Sequence, residues 1–388
     1  MWYGFPAKKL VVVGITGTKG KSSVAEMLYT ILEEGGKKTA LAGTIRFAIG
    51  KESRPNLFKM TLPGRGFIQK FLAEAVAKGA TNAVIEITSE AALQYRHLGL
   101  DLNALIFTNL APEHIESHGS LEKYFEAKFK IGEALARSKK RPRAIIANDS
   151  SEYGKRFLAL SVENQIAFDL GDAQNADIRD DGVAFTYDGM RYALPQPGTF
   201  SVLNALAAIK TALWLGIDAL DIKSALMHLR TIPGRAERIE AGQAFDVIVD
   251  YAHTPDSLTA IYEAFKDKRK IGVLGNTGGG RDRWKRPLMG AIAEKYCDEI
   301  ILTNEDPYDE DPQKIVEEIA AGMKNKKPKI IMDRREAIRA ALALARPGDA
   351  VLITGKGTDP YIMEALGKKT AWSDAQVARE ELLKLASM

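Results

Sequence analysis

The run GITGTKGKSS, Gly14 to Ser23, follows the apolar segment Leu10 to Val13 and precedes Val24, Met27, Leu28, Ile31 and Leu32, which recur at helical spacing. The order is therefore strand, glycine loop, helix, the context in which a phosphate-binding loop works. Gly14, Gly17 and Gly20 let backbone N–H groups approach an anion. Lys21 supplies a cation for the outer phosphates, and Ser22 places a hydroxyl where Mg²⁺ would sit. The implied ligand is a polyphosphate nucleotide. Gly14 and Gly20 bracket five residues, so the loop is a variant of the general G-x-x-x-x-G-K-[ST] form.

Working outward, the chain has 388 residues, 46% hydrophobic and 27% charged, which is enough to bury more than one core. A formal charge of +4 does not argue for nucleic acid. There is no apolar run long enough to span a membrane and no signal-peptide pattern at the N-terminus, so the expectation is a cytoplasmic enzyme. The single Cys297 cannot form an internal disulfide. Strand-like apolar runs alternate with helical patterns at 83–87, 104–108, 144–147, 247–249, 271–274, 300–302, 329–332 and 350–354. Such alternation predicts an α/β fold of parallel sheets covered by helices. The segment Thr231 to Arg238, with Pro233 and Gly234, breaks both periodicities and marks a boundary between an ATP-binding domain and a smaller Rossmann-like domain. Residues 175–197 read as an antiparallel hairpin on the first domain's edge.

Glu86 stands at the carboxyl end of a predicted strand and His114 six residues beyond another, so both are candidates to meet the loop's metal. Lys128 has no obvious role beside a cation. A lysine whose pKa is lowered, however, exposes a neutral amine able to capture CO₂ as a carbamate, turning a cation into an anionic oxygen ligand.

TGTxGK[ST] with EITSEAALQYR, TNLAPEHIESHG and YFEAK resembles the central domain of the Mur ligases, whose loop usually has Asn where this chain has Lys19. The resemblance implies two Mg²⁺ ions, with Glu86 bridging, His114 on the second ion and Lys128 carbamylated in the YxxAK register. Downstream, VIVDYAHTPDSL, GNTGGGRDRWKRPLMGAIAE, TNEDPYDEDP, LITGKGTDPYI and WSDAQVARE follow the order of the MurE branch, the tripeptide synthetases. A P-loop Mur ligase ATPase domain over 1–233 and a Rossmann-like, amino-acid-binding domain over 234–388 are what this implies. By the same resemblance, Gly17, Thr18, Lys19, Gly20, Lys21, Ser22, Ser23, Asn204, Arg235, Asp250, Tyr251 and His253 take ATP. Thr61, Thr88, Gln94 and Arg96 face a carboxylate acceptor, and Arg281, Asp306, Tyr308, Gly355 and Asp359 surround the incoming amino acid.

The implied reaction is ATP-dependent amide-bond formation through an acyl phosphate, with domain closure near 231–238, in peptidoglycan precursor synthesis. The partners are small molecules, with no nucleic acid, and the protein is expected to be a monomer. Two departures qualify the match. MWYGFPAKKL resembles the linker that follows the family's UDP-binding domain, so the acceptor is recognised differently, or that domain has been removed or is on another chain. DNPR, whose Arg selects meso-diaminopimelate, is replaced by Glu305, Asp306, Pro307 and Tyr308, and GKGHE by GKGTD. The acidic run Glu305, Asp306, Asp309, Glu310 and Asp311 suggests attraction of a distal ammonium and hence of lysine. The alternatives are a folylpolyglutamate-synthetase-like ligase with a non-UDP acceptor and a non-catalytic partner of a ligase complex.

Overall fold

A computed structural model describes residues 3–113 and 115–386. The chain forms two compact units: one runs to Pro195 and takes in Thr199–Arg230, the other holds Gln196–Gly198 and the chain from Thr231 onward. Among the described residues, no helix is long and apolar enough to cross a membrane.

The first unit is built on β1 (Val11–Thr16), β2 (Thr39–Ala42), β3 (Arg46–Ile49), β4 (Glu52–Pro55), β5 (Asn82–Glu86), β6 (Ala104–Phe107), β7 (Ala144–Asn148) and β8 (Asn164–Phe168). Across the sheet they run β4-β3-β2-β5-β1-β6-β7-β8. All neighbours from β2 to β8 are parallel, whereas β3 and β4 are antiparallel additions at one edge. The central strands are buried on both faces, which is why they read as continuous apolar runs. β4 is exposed along its length and carries no such signal.

Helix α1 (Lys21–Glu34) follows β1 directly and buries Val24, Met27, Leu28, Ile31 and Leu32. Then come α2 (Arg65–Ala77), α3 (Ser89–Leu93), α4 (Ile115–His118) and α5 (Leu121–Ala136). In α5 the buried stripe includes Tyr124, Lys128, Ile131 and Leu135, so the 3.6-residue period carries Lys128 inward with its apolar neighbours. α6 (Glu152–Leu158), α7 (Thr199–Trp214) and α8 (Ala219–Met227) complete the unit's helices.

Within residues 175–197 the expected antiparallel hairpin forms, and a third strand joins it. β9 (Gln174–Ile178), β10 (Val183–Tyr187) and β11 (Met190–Leu194) make a separate three-stranded antiparallel sheet with β10 in the middle. Asp188 and Gly189, both at positive φ, turn β10 into β11. Val183, Phe185, Tyr192 and Leu194 give the sheet an inward apolar face, packed beside α7 and α8 rather than paired to a parallel strand.

The second unit has the sheet order β12-β13-β17-β14-β15-β16, from β12 (Glu237–Arg238), β13 (Asp246–Asp250), β14 (Lys270–Leu274), β15 (Glu299–Leu302), β16 (Lys329–Ile330) and β17 (Ala350–Thr354). Only β12 runs antiparallel to its neighbour. β18 (Tyr361–Met363) and β19 (Lys369–Ala371) form a small hairpin that the sequence reading lacks. The unit's core joins Val247, Val249, Ile271, Val273, Val351 and Ile353 to Ala337, Ile338, Val377 and Leu382 from its covering helices.

Candidate active site

Parallel register brings three strand ends together. Ile15 of β1 stands opposite Glu86 of β5, and Thr16 opposite Phe107 of β6, so the loop after β1 is flanked by Glu86 and by Thr108 and Asn109. Ligands of open α/β sheets gather at such carboxyl ends. The Thr18 N–H donates to the Asn109 carbonyl at 2.9 Å and the Lys19 N–H to Asn109 Oδ1 at 2.9 Å. Thr108 Oγ1 and Asn109 Nδ2 donate back to the Lys19 carbonyl at 2.6 and 3.2 Å.

Gly17 has φ 143°, and a Cβ there would lie 2.0 Å from Thr108 Oγ1. Gly20, with φ 83°, precedes α1, and its Cβ would lie 2.3 Å from Asn204 Oδ1. No side chain caps α1. A helix N-terminus presents its first-turn N–H groups to partners beyond the helix, an arrangement suited to a phosphate.

Around this loop stand three amines. Lys21 Nζ donates to the carbonyls of Gly17 and Thr18 at 3.0 and 2.8 Å. Lys128, 1% exposed, donates from the other side to the same Gly17 oxygen at 2.9 Å and lies 4.4 Å from the centre of the Tyr124 ring. Burial, and next the charge of Lys21, push the Lys128 amine well below the usual lysine range, with Glu113 opposing and Lys19 adding to the fall. Lys19 Nζ sits 3.3 Å from each oxygen of Glu113.

Ser22 and Ser23 are buried in the first turn of α1, and Ser22 Oγ donates to Glu86 Oε2 at 3.0 Å. The other Glu86 oxygen accepts from the Thr44 N–H at 2.8 Å. Thr44 Oγ1 reaches Glu86 Oε2 at 3.0 Å and Thr61 Oγ1 at 2.9 Å. A hydroxyl and a carboxylate beside the loop are hard oxygen donors of the kind Mg²⁺ takes, so this donor set fits the ion. No cluster of three or more His, Cys, Asp or Glu suited to a metal occurs among the described residues. His114 lies outside the described residues.

The acceptor candidates fall into two linked groups. Thr61 joins the Glu86 network through Thr44. Thr88 caps α3, accepting from the Ala91 N–H at 3.1 Å, while Arg96 donates to the Leu62 carbonyl at 2.8 Å and also bonds Gln94.

In the second unit, the Asp250 carboxylate takes the N–H groups of Ala252 and Ala236 at 2.7 and 2.6 Å. The Arg235 guanidinium lies 4.7 Å from the Tyr251 ring centre, and Tyr251 and His253 rings meet at 4.6 Å. These four residues thus form one cluster. Asp306 is buried, and its Oδ1 takes Lys356 Nζ at 2.7 Å and the Met363 N–H at 2.9 Å. Asp359 Oδ2 stands 3.7 Å from Lys356 Nζ, and the Gly355 N–H donates to the Asp250 carbonyl at 3.2 Å. Arg281 is exposed and Tyr308 half-buried.

The acidic run is divided: Glu305 and Asp306 are buried, Glu310 is half-buried, and Asp309 and Asp311 are exposed. Glu305 is buried and accepts from Thr277 Oγ1, and its carboxyl is raised, first by burial. Glu310 pairs with Arg286, Asp309 accepts from the Leu366 N–H, and Asp311 caps the helix Pro312–Ala320. These side chains are thus engaged in internal bonds.

A model of the Mur ligase middle domain matches residues 15–212, and one of the Mur ligase, glutamate ligase domain matches 234–357. The chain is 39% identical over 392 residues to a UDP-N-acetylmuramoyl-L-alanyl-D-glutamate–2,6-diaminopimelate ligase of Aquifex aeolicus, across 98% of this chain and 79% of that protein. The chain belongs to the Mur ligase family. It is an ATP-dependent acid–amino-acid ligase of the MurE kind. A UDP-N-acetylmuramyl-tripeptide synthetase of Roseiflexus is 37% identical, covering 99% of this chain and 81% of its own.

Among solved structures, a diaminopimelate ligase with 27% identity superposes with a TM-score of 0.64, covering 97% of this chain and 79% of that one. A Mycobacterium tuberculosis folylpolyglutamate synthase reaches 0.75 over 91% of this chain and 90% of its own, at 17% identity. The latter likeness speaks for the fold alone, and the sequence identities carry the branch. Mur ligases use ATP and magnesium. Sequence marked no role for Thr108, Asn109 and Glu113, which bond the loop, or for Thr44, which bonds Glu86. The signal available for two of them was position, since Thr108 and Asn109 follow β6 as the loop follows β1.

Proposed function

We propose that this chain works in the cytoplasm and joins an amino acid to the carboxylate of a UDP-N-acetylmuramoyl-dipeptide, the acceptor that its relatives' names specify. The observation that carries this reading is the convergence of the uncapped α1, Lys21, Ser22, Glu86 and Lys128 on one glycine loop. Lys21 and the first-turn N–H groups of α1 bind and orient the triphosphate. Ser22 and Glu86, with His114 and a carbamylated Lys128, would hold two magnesium ions, which when bound neutralise charge on the phosphates. The Lys128 amine, lowered well below the usual lysine range by burial, would be the nucleophile for CO₂: the nitrogen bonds the carbon, a carbon–oxygen π bond opens onto oxygen, and the nitrogen's proton passes to a base, leaving a carbamate anion.

An acceptor carboxylate oxygen attacks the γ-phosphorus, and the bond to the β-phosphate oxygen breaks, giving ADP and an acyl phosphate. The amine of the amino acid then attacks the acyl carbon and loses a proton as the carbon–oxygen bond to phosphate breaks. Arg96 suits an acceptor carboxylate. Asn204, Arg235, Asp250, Tyr251 and His253 serve the nucleoside, and Arg281, Asp306, Tyr308, Gly355 and Asp359 the amino acid. Tyr308 cannot form the two-pronged pair that an Arg makes with a distal carboxylate.

The test is phosphate release and product mass with ATP, UDP-N-acetylmuramoyl-L-alanyl-D-glutamate, and either meso-diaminopimelate or lysine. Release that needs acceptor and amino acid together, with a product heavier by one amino acid, is expected. ATP hydrolysis indifferent to both would overturn the assignment.

A further inference from the structure

Lys19 occupies the variable place in the loop, and its surroundings are those of a fixed group. Its N–H and carbonyl are held by Asn109 and Thr108, so the main chain at residue 19 has little room to shift. Its Nζ lies 3.3 Å from both oxygens of Glu113, whose side chain is 7% exposed against 27% for Lys19. A carboxylate that far removed from water requires a charged or hydrogen-bonding partner, whereas a lysine at a loop tip ordinarily leaves its head in water. The pair therefore restrains a four-carbon side chain that would otherwise sample many rotamers.

An ammonium has three N–H donors, of which the carboxylate engages at most two. Lys21 and Lys128 meet at the Gly17 carbonyl in the same turn, and the charges of Lys21, Glu113 and Lys19 all act on Lys128. The site thus concentrates cations where a polyanion is expected.

We propose that Glu113 is a positioning residue that holds the Lys19 ammonium at the phosphate loop, where it serves beside Lys21 as a second phosphate-binding cation for the nucleotide. This rests on the loop's reading as an ATP site. Because the contact would form with bound ATP, its loss is expected to raise the KM for ATP.

Calorimetric titration of the full chain with ATP, ADP and AMP in the presence of Mg²⁺ tests the idea. Lys19→Met is expected to weaken ATP and ADP by about tenfold, leaving AMP unchanged. Glu113→Gln should weaken ATP severalfold in the wild-type background and not at all when added to Lys19→Met, since Glu113 acts through Lys19. ATP binding by Lys19→Met as tight as wild type would overturn the proposal, as would an equal loss from Glu113→Gln in both backgrounds. If Glu113→Gln fails to fold by circular dichroism, the Lys19→Met arm decides alone. A wild-type chain that binds no ATP would instead strike the ligase reading itself.

Discussion

Lys128 shows how environment remakes a side chain. Lys21 and Lys128 donate to one oxygen at 3.0 and 2.9 Å, which keeps their nitrogens within about 6 Å of each other. Two ammonium charges at that separation repel by about 3 kcal/mol at an effective dielectric of 20. Burial is the larger cause and this repulsion adds to it, so the enclosed Lys128 amine falls. Lys128→Ala should reduce kcat by about 10²-fold or more, and formate or acetate should restore part of it by replacing the lost carboxylate. Native mass spectrometry of the wild type should show a CO₂ adduct that disappears on acidification. An unmodified Lys128 in a fully active enzyme would contradict the role. The YxxAK pattern singled out this residue; its burial and its shared carbonyl came from α5 packing beside the loop.

Elements in this chain are secured by side-chain ties as well as by ladders. At the β7–β8 edge, Arg143 Nη2 and Nε reach the two oxygens of Glu163 at 2.8 and 3.0 Å, and the Arg143 N–H adds a bond of 2.9 Å. The Arg143 side chain holds the Glu163 carboxyl down at about 2, against 4.5 for an ordinary glutamate. A carboxyl lowered on folding contributes stability that is present above the unfolded value and lost as pH falls through the folded one. Urea unfolding of Glu163→Gln should therefore show a deficit against wild type at pH 7 that closes between about pH 4.5 and pH 2. A deficit that persists unchanged at pH 2 would assign the loss to packing instead. Most of the parallel strands were legible because burial on both faces demands unbroken apolar runs. β2, β3, β4 and β8 were not, because short or exposed strands carry no such run, and of the separate β9–β11 sheet only an antiparallel hairpin was legible.

For the whole molecule, the chemistry requires the carboxylate to be activated before the amine is used. With ATP and acceptor but no amino acid, hydroxylamine should intercept the acyl phosphate and yield a hydroxamate detectable by mass. No hydroxamate from an enzyme that makes the amide would argue against the acyl phosphate. Sequence alone determined the nucleotide loop, the alternation that makes two α/β units, and the family, because each is written in contiguous residues whose spacing is set by backbone geometry. The partners of those residues were decided by tertiary structure. Parallel register set Glu86 beside Ile15, and sheet order put Asn109 against Thr18 and Lys19 across 90 residues of chain. The same packing engaged the acidic run from Glu305 to Asp311 in internal bonds. A sequence states which groups carry charge, but which charge meets which depends on distances that only the packed chain defines.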